Sequence, residues 1–166
     1  MNPAPDHPNV QAVLTALRTG GAAPESVNRL RLLPGAVRTA AAAAEALGVQ
    51  VGQIANSLVF EAEGAPLLVL ASGAHRVDTD QLAARLGMTA IQRADARYVR
   101  RATGQVIGGV APVGHPTRLR TVVDTALASY SEVWAAGGIP HAVFPTSYRE
   151  LLVVTGGTAA AVAASG

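Results

Sequence analysis

The stretch QIANSLVFEAEGAPLLVLAS, residues 53–72, carries the clearest structural pattern in this chain. Two runs rich in aliphatic residues, 56–61 and 66–72, are separated by Glu63-Gly64, which is typical of a tight turn. Runs of this length bounded by turn residues favour β-strands. The sequence therefore predicts an antiparallel β-hairpin in this region.

Helices with recognisable first and last residues are predicted on both sides of the hairpin. Each begins at a Ser, Thr, Asp or Asn that can cap the first turn, and most end at a glycine. The predicted helices are 10–19 capped by Asn9, one from Thr39 to Leu47, one from Asp78 or Thr79 to Leu86, one from Asp95 to Thr103, and one from Ser147 to Thr155 in which Glu150 completes a capping box.

The remaining segments read as short strands and irregular chain. Strands are predicted at 27–33, 91–93, 121–127, 132–136 and 141–144, the last two forming a hairpin across Gly137 and Gly138. Segment 105–116 is too rich in glycine and proline for a regular element, while residues 1–8 and the tail from 158 are expected to be flexible. This order indicates one α+β domain over 1–166, with a mixed, mostly antiparallel sheet and flanking helices.

Composition limits the possible classes of protein. The chain has 166 residues, 49% of them hydrophobic, and a net charge of +2. It lacks cysteine, which excludes disulfides, a thiolate nucleophile and a cysteine-bound zinc ion. No apolar run reaches 18 residues and no signal-peptide pattern opens the chain, so we expect a cytoplasmic protein without a membrane span. A charge of +2 permits a nucleic-acid partner without arguing for one.

Seven segments occur in an order that resembles the YbaK/ProX family, which is related to the editing insertion of bacterial prolyl-tRNA synthetases. The segments are RTAAAAAEALGV, QIANSLVF, LASGAHRVD, RATGQVIGGVAPVGH, VVDTAL, WAAGGIPHAVF and ELLVVTGG. The resemblance covers about Val10 to Gly157. It implies a partly closed mixed sheet and hydrolysis of the ester bond of mischarged aminoacyl-tRNA.

The resemblance also implies where the site lies. The family's pocket lies between a strand that carries a functional lysine and a glycine-rich loop, and its proposed mechanism uses no protein nucleophile, metal or cofactor. Instead, a terminal ribose hydroxyl helps to activate water, while backbone N–H groups and the lysine hold the ester. The positions that match here are Asn56, Gly108 and Gly109 for catalysis, and Ser57, Val110, Ala111, Pro112, Gly114, His115, Gly137 and Gly138 for substrate binding.

The lysine position holds Asn56, and the chain contains no lysine at all, since its 13 basic residues are arginines. Asparagine offers a neutral amide with two donors and one acceptor, whereas lysine offers a positive charge and three donors. Losing one charge-assisted hydrogen bond costs roughly 1.5–3 kcal/mol, which leaves room for residual hydrolysis. The alternative is that Asn56 is an ordinary strand residue without a role in the site.

Other polar residues give weaker signals. His75, His115 and His141 lack metal-ligand spacing, and only His115 adjoins the glycine loop. Neither Ser57 nor Ser72 has a base placed by a motif, and Asp124 is as well explained by a turn as by catalysis. Four arginines around one helix could bind tRNA phosphates or simply form a solvated face; they are Arg93, Arg97, Arg100 and Arg101.

Two functions from different classes are therefore consistent with the sequence. The first is a free-standing aminoacyl-tRNA deacylase that edits a small mischarged amino acid, weakened by Asn56 and in contact with tRNA through Arg97, Arg100 and Arg101. The second is a module that binds aminoacyl-tRNA or a similar ester without cleaving it. Association with an aminoacyl-tRNA synthetase has no sequence feature of its own, and the sequence leaves the oligomeric state and the edited amino acid open.

Overall fold

The structure is a computed structural model that describes residues 6–163. Within that range the chain forms six α-helices and eight β-strands. The helices are α1 Pro8–Gly20, α2 Pro24–Asn28, α3 Ala40–Leu47, α4 Thr79–Leu86, α5 Ala96–Thr103 and α6 Tyr148–Thr155. The strands are β1 Arg31–Leu32, β2 Ile54–Ala62, β3 Ala65–Ser72, β4 Ile91–Arg93, β5 Arg120–Asp124, β6 Val133–Ala136, β7 Ala142–Thr146 and β8 Thr158–Ala160.

The strands form one open mixed sheet in the order β1-β7-β6-β2-β3-β5-β8, with β4 added beside β2. Strands β2/β3, β2/β4, β6/β7 and β1/β7 pair antiparallel, whereas β2/β6, β3/β5 and β5/β8 pair parallel. Helices flank this sheet, so the predicted α+β fold with a mixed sheet is confirmed.

The hairpin that dominates the sequence forms the centre of the sheet. Strands β2 and β3 pair from Ala55↔Ser72 to Ala62↔Ala65, which leaves a two-residue turn. Glu63 has φ 54° and Gly64 has φ 81°, the two positive values that a type I′ hairpin turn requires. Residues 67–71 are at most 1% exposed, because both faces of β3 are covered.

One edge of β2 is shared by two short strands, and this leaves a gap. Strand β6 pairs with β2 at Ile54 and Ala55, and β4 pairs with it at the far end, over 60–62. Within the described chain, residues 56–59 have no strand beside them on that edge. The gap places Asn56 where another part of the chain can reach it.

Helix caps were the most predictable local feature. The side chains of Thr39, Asp78 and Asp95 each accept a hydrogen bond from a backbone N–H in the first turn of α3, α4 and α5. Ser147 caps α6 in the same way, through the N–H of Glu150. The second hydrogen bond of the predicted capping box, from Ser147 N–H to the Glu150 side chain, is wrong. The Glu150 carboxylate instead accepts hydrogen bonds from Ala23 N–H, Ser26 Oγ and Thr146 Oγ1.

Three further predictions require correction. Helix α1 begins at Pro8 and is capped by His7, because the Asn9 side chain bonds elsewhere. Segment 27–33 is not one strand: α2 ends at Asn28 and only Arg31–Leu32 pairs with β7. The segment 121–127 leaves the sheet after Asp124 in a 3₁₀ turn, because the Asp124 carboxylate accepts a bond from Ala126 N–H.

The two ends of the chain also differ from expectation. Asp6 and His7 lead directly into α1, which begins at Pro8, whereas 1–5 lie outside the described part of the chain. The tail is not frayed at 158–160, since β8 pairs parallel with β5, and Ala163 forms a bridge to Val77. Residues 164–166 lie outside the described range.

Candidate functional site

Asn56 and Ser57 line a small cavity of about 40 Å³ together with Gly108 and Val110 of the glycine-rich loop. Successive side chains of a strand point to opposite faces, so both residues can border one cavity only because it lies at the open edge of β2. The other walls come from the residues just before and within α3, from β6, and from Pro140 and the start of β7.

Several polar groups around the cavity have no partner within residues 6–163. Asn56 is half-buried, pairs through its backbone with Ala71, and its side-chain amide forms no hydrogen bond there. The Ser57 hydroxyl and the Trp134 indole N–H are buried and equally unpaired. An unpaired buried polar group costs free energy, so this cavity favours an occupant with polar atoms.

The charge at the cavity is positive. Among the described residues that line it, Arg38 is the one charged side chain and none is a carboxylate. The glycine-rich loop packs on the stem of this arginine: a Cβ placed on Gly108, whose φ is +92°, would lie 3.0–3.1 Å from Arg38 Cβ, Cα and Cγ. Glycine at 108 thus allows the loop to approach Arg38 closely.

The backbone N–H groups of the loop divide into two sets. Gly109 N–H donates to Val106 O at 2.9 Å and Ala111 N–H donates to Gln105 Oε1 at 2.8 Å, so both are engaged within the loop. The N–H groups of Gly108 and Val110 form no hydrogen bond with a described residue and remain as donors for a ligand. Glycine is needed at position 109 for a steric reason, because a Cβ there would lie 2.7 Å from the carbonyl carbon of Ile139.

Gln105 holds the loop in place, and nothing in the sequence pattern indicates this. Its side chain is only 1% exposed, and it reaches across the loop to Ala111 N–H. Its own backbone N–H donates to Thr103 Oγ1, which ties the loop to the end of α5. No local pattern distinguishes such a glutamine from a surface one, because its partner is fixed only by the loop's path.

The second half of the loop faces a different cleft. Pro112, Gly114 and His115 line an open cleft of about 680 Å³ against α1 and the end of α6, away from Asn56. His115 Nε2 lies 2.8 Å from Ala111 O. Burial lowers the pKa of His115, and this hydrogen bond opposes the shift only in part.

The second glycine pair borders a third, open groove. Gly138, with φ +104°, lines a groove of about 760 Å³ with Arg100, Val106 and His141. This groove shares Pro140 with the Asn56 cavity, so the two adjoin. Gly137 lines neither; its N–H donates to Ala142 O at 2.7 Å and closes the β6–β7 turn.

Asn9 fastens the two sides of this groove together. Its side-chain amide donates to Gly104 O at 3.3 Å and to Gly138 O at 3.2 Å, which explains why it does not cap α1. These hydrogen bonds join α1, the end of α5 and the β6–β7 turn, so the groove has a fixed shape.

The arginines of α5 form an exposed basic face. Arg97, Arg100 and Arg101 are three and four residues apart, so they share one side of the helix, opposite the buried Val99. None of them forms an ion pair with a described residue, and Arg100 reaches the groove.

A Ser, a His and an Asp meet away from the cavity, in an arrangement that is structural. His75 Nδ1 lies 3.0 Å from the carboxylate of Asp124, which is 1% exposed and also accepts from Ser72 N–H. Ser72 Oγ donates to Gly52 O rather than to the histidine. No serine nucleophile is set up here, and Asp124 joins β3 to β5.

The whole fold matches a solved structure that is described as a candidate editing enzyme. A crystal structure described as a candidate trans-editing enzyme for prolyl tRNA synthetase aligns over 96% of this chain and 99% of its own, with 40% identity and a TM-score of 0.85. Among curated relatives, an uncharacterised protein, YwhH, of Bacillus subtilis is 31% identical over 66% of this chain and 69% of its own.

Synthetases provide the second kind of relative. Proline–tRNA ligase of Thermosipho africanus is 32% identical over 62% of this chain, yet the match spans only 18% of the ligase. The fold is thus of the class that occurs both as a separate protein and as part of a tRNA ligase. The model of the aminoacyl-tRNA editing domain matches residues 34–153, and the chain belongs to that family. The resemblance seen in the sequence is confirmed.

Proposed function

We propose that this editing domain is a free-standing deacylase that hydrolyses the ester of a mischarged aminoacyl-tRNA. The observation that carries the proposal is the cavity in which Asn56 of β2 meets Gly108 and Val110, in a chain of the editing-domain family. Asn56, Ser57, Val110 and the Gly108 backbone act on the aminoacyl group in this proposal.

The chemistry uses water as the nucleophile. Water adds to the carbonyl carbon, the carbonyl oxygen becomes an oxyanion, and the C–O bond to the terminal ribose breaks to give a free amino acid and a tRNA hydroxyl. The free N–H groups of Gly108 and Val110 are suited to stabilise the oxyanion, because fixed donors act most strongly where charge develops. A ribose hydroxyl of the tRNA assists the water, as the family resemblance implies.

The size of the cavity supports a small amino acid. The cavity has a volume of only about 40 Å³, against about 680 and 760 Å³ for the two open clefts. Side chains as small as those of alanine and serine suit such a space best.

The adjoining groove supports contact with the tRNA end. It leads from Pro140 to Arg100, and Arg97 and Arg101 extend the basic face beyond it. Arginine binds phosphate through a planar fork of donors. An enzyme with this substrate works where translation takes place, so the proposal places it in the cytoplasm; association with a synthetase is consistent with the ligase relatives.

The second candidate is a module that binds aminoacyl-tRNA without cleaving it. It is favoured by the neutral Asn56 at the family's lysine position and by the engaged N–H of Gly109. Both features reduce the groups available to stabilise a transition state, while leaving the cavity able to hold a ligand.

A deacylation assay over a panel of mischarged tRNAs tests the proposal. We expect turnover above spontaneous hydrolysis for at least one small amino acid, and loss of that turnover in Gly108→Ala. The matched control is Gly87→Ala, because Gly87 also has a positive φ, +68°, but has nothing within 4 Å of an added Cβ. Saturable binding without turnover across the panel would replace the deacylase with the binding module.

A further inference from the structure

Arg38 is an unexplained charge at the site. It lines the cavity beside Asn56, is exposed, and forms neither an ion pair nor a hydrogen bond with a described residue. Neither the fold nor the family resemblance assigned it a role.

A positive charge at position 38 is unfavourable for the stability of α3. Arg38 directly precedes Thr39, the cap of α3, and therefore lies at the positive end of the helix dipole. The first turn of α3 has no acidic residue to offset it. Helices α4 and α5 instead have a negative charge at this end, because each is capped by an aspartate.

Two contacts fix Arg38 to the walls of the site. Val37 N–H donates to Pro140 O at 2.8 Å, and the Gly108 backbone packs against the Arg38 stem. The backbone and stem of Arg38 are thus held at the cavity, whose Pro140 wall is shared with the adjoining groove.

We propose that Arg38 supplies the positive charge of this site, in place of the lysine expected at position 56, and binds an anionic oxygen of the aminoacylated tRNA end. This rests on the proposed function. Two oxygens have the required chemistry: the ester carbonyl oxygen as it becomes an oxyanion, and the phosphate that precedes the terminal nucleoside. A guanidinium is always charged near neutral pH and can serve either one.

The test compares Arg38→Gln with Arg149→Gln. Arg149 is also exposed and lies in the first turn of an eight-residue helix, α6, but it lines neither the cavity nor the groove. Both variants lose one charge near a helix N-terminus, so their thermal midpoints should change alike. We expect kcat/KM for alanyl-tRNA and seryl-tRNA to fall about 10-fold or more in Arg38→Gln only, with partial recovery in Arg38→Lys.

Phosphate-free alanyl-adenosine and seryl-adenosine separate the two oxygens. A fall on these esters as well, mainly in kcat, identifies the ester oxygen; a fall confined to tRNA, mainly through KM, identifies the phosphate. Equal rates for Arg38→Gln and Arg149→Gln on every substrate would overturn the proposal.

Failure of the deacylase proposal is a separate outcome. If the wild-type protein turns over none of these substrates, the proposal for Arg38 is judged on binding to an acceptor-stem mimic that carries alanine or serine through a stable 3′-amide. Weaker binding by Arg38→Gln than by Arg149→Gln would support it, and equal binding by the two variants would refute it.

Discussion

At the scale of single residues, Asn56 poses the sharpest question. It occupies the lysine position of the family resemblance, at the open edge of β2, and its amide has no partner among the described residues. Arg38 is already present in the same cavity, so a second cation would add to the positive charge there rather than create it.

Asn56→Lys tests whether the pocket lacks one functional group. We expect deacylation to rise about 10-fold or more if the ammonium acts on the transition state, because each 1.36 kcal/mol changes a rate tenfold. The rate and the thermal midpoint are measured together. No gain with an unchanged midpoint would mean that a charge at position 56 does not act on the ester, as expected if Arg38 already supplies it. No gain with a clear loss of stability would indicate a pocket rebuilt around a neutral residue, since an unpaired buried charge is costly.

His115 should make stability depend on pH. Burial lowers its pKa in the folded protein below the ordinary value of 6.5, so the unfolded chain takes up the proton first. The stability that depends on neutral His115 is therefore complete above about pH 6.5 and is lost as the pH falls below it. We expect the thermal midpoint of the wild-type protein to fall between pH 7.5 and 5.5 more than that of His115→Gln. Equal slopes would contradict this.

Asp124 should matter far more for stability than an exposed carboxylate. Asp124→Ala leaves the N–H groups of Ser72 and Ala126 without their acceptor, and the buried Ser72 donor alone costs about 1–3 kcal/mol when unpaired. We expect a loss of about 2 kcal/mol or more in urea unfolding. Glu132→Ala is the control, because its pair with Arg29 is exposed and should change little. Similar losses in the two variants would refute the role given to Asp124.

At the scale of elements, the glycine-rich loop depends on Gln105. Gln105→Leu removes the acceptor for Ala111 N–H at similar side-chain volume, so we expect a loss of about 1–3 kcal/mol in stability and slower deacylation. Gln92→Leu is the control, since Gln92 is exposed on β4. A normal rate in Gln105→Leu would show that the loop keeps its shape without this bond.

Local chemistry explains which elements the sequence could predict. The caps of α3 and α5 need only a side chain and the N–H three residues on, so Thr39 and Asp95 were recognisable. The path of segment 27–33 was not, because Pro24 at the start of α2 and pairing with distant β7 decide it. The contacts of Asn9 and Arg38 could not be predicted either, because they are made with the distant β6–β7 turn and the loop at 108. The sequence predicted the two segments that line the cavity, but not the residues that fix their shape.

At the scale of the whole molecule, the net charge is small, so the proposed binding to tRNA must depend on where the arginines lie. The three on one face of α5 are candidates for binding phosphates. Every arginine–phosphate pair that is removed should reduce the slope of log K against log salt by about 0.7–0.9. For the triple variant Arg97, Arg100, Arg101→Gln we expect weaker binding of uncharged tRNA and a slope shallower by about two units, measured by fluorescence anisotropy. Arg149→Gln should remove at most one such pair, and an unchanged slope in the triple variant would exclude this face.

The gap on the edge of β2 has a consequence for how the protein is made. The hairpin β2–β3 is synthesised before the loop at 108–110, β6 and the start of β7, all of which the cavity also needs. Chains are synthesised at about 5–20 residues per second, so the hairpin waits several seconds for these segments. A nascent chain therefore has its central strands seconds before it has a pocket, and it acquires one only after residues 142 and 143 have been made.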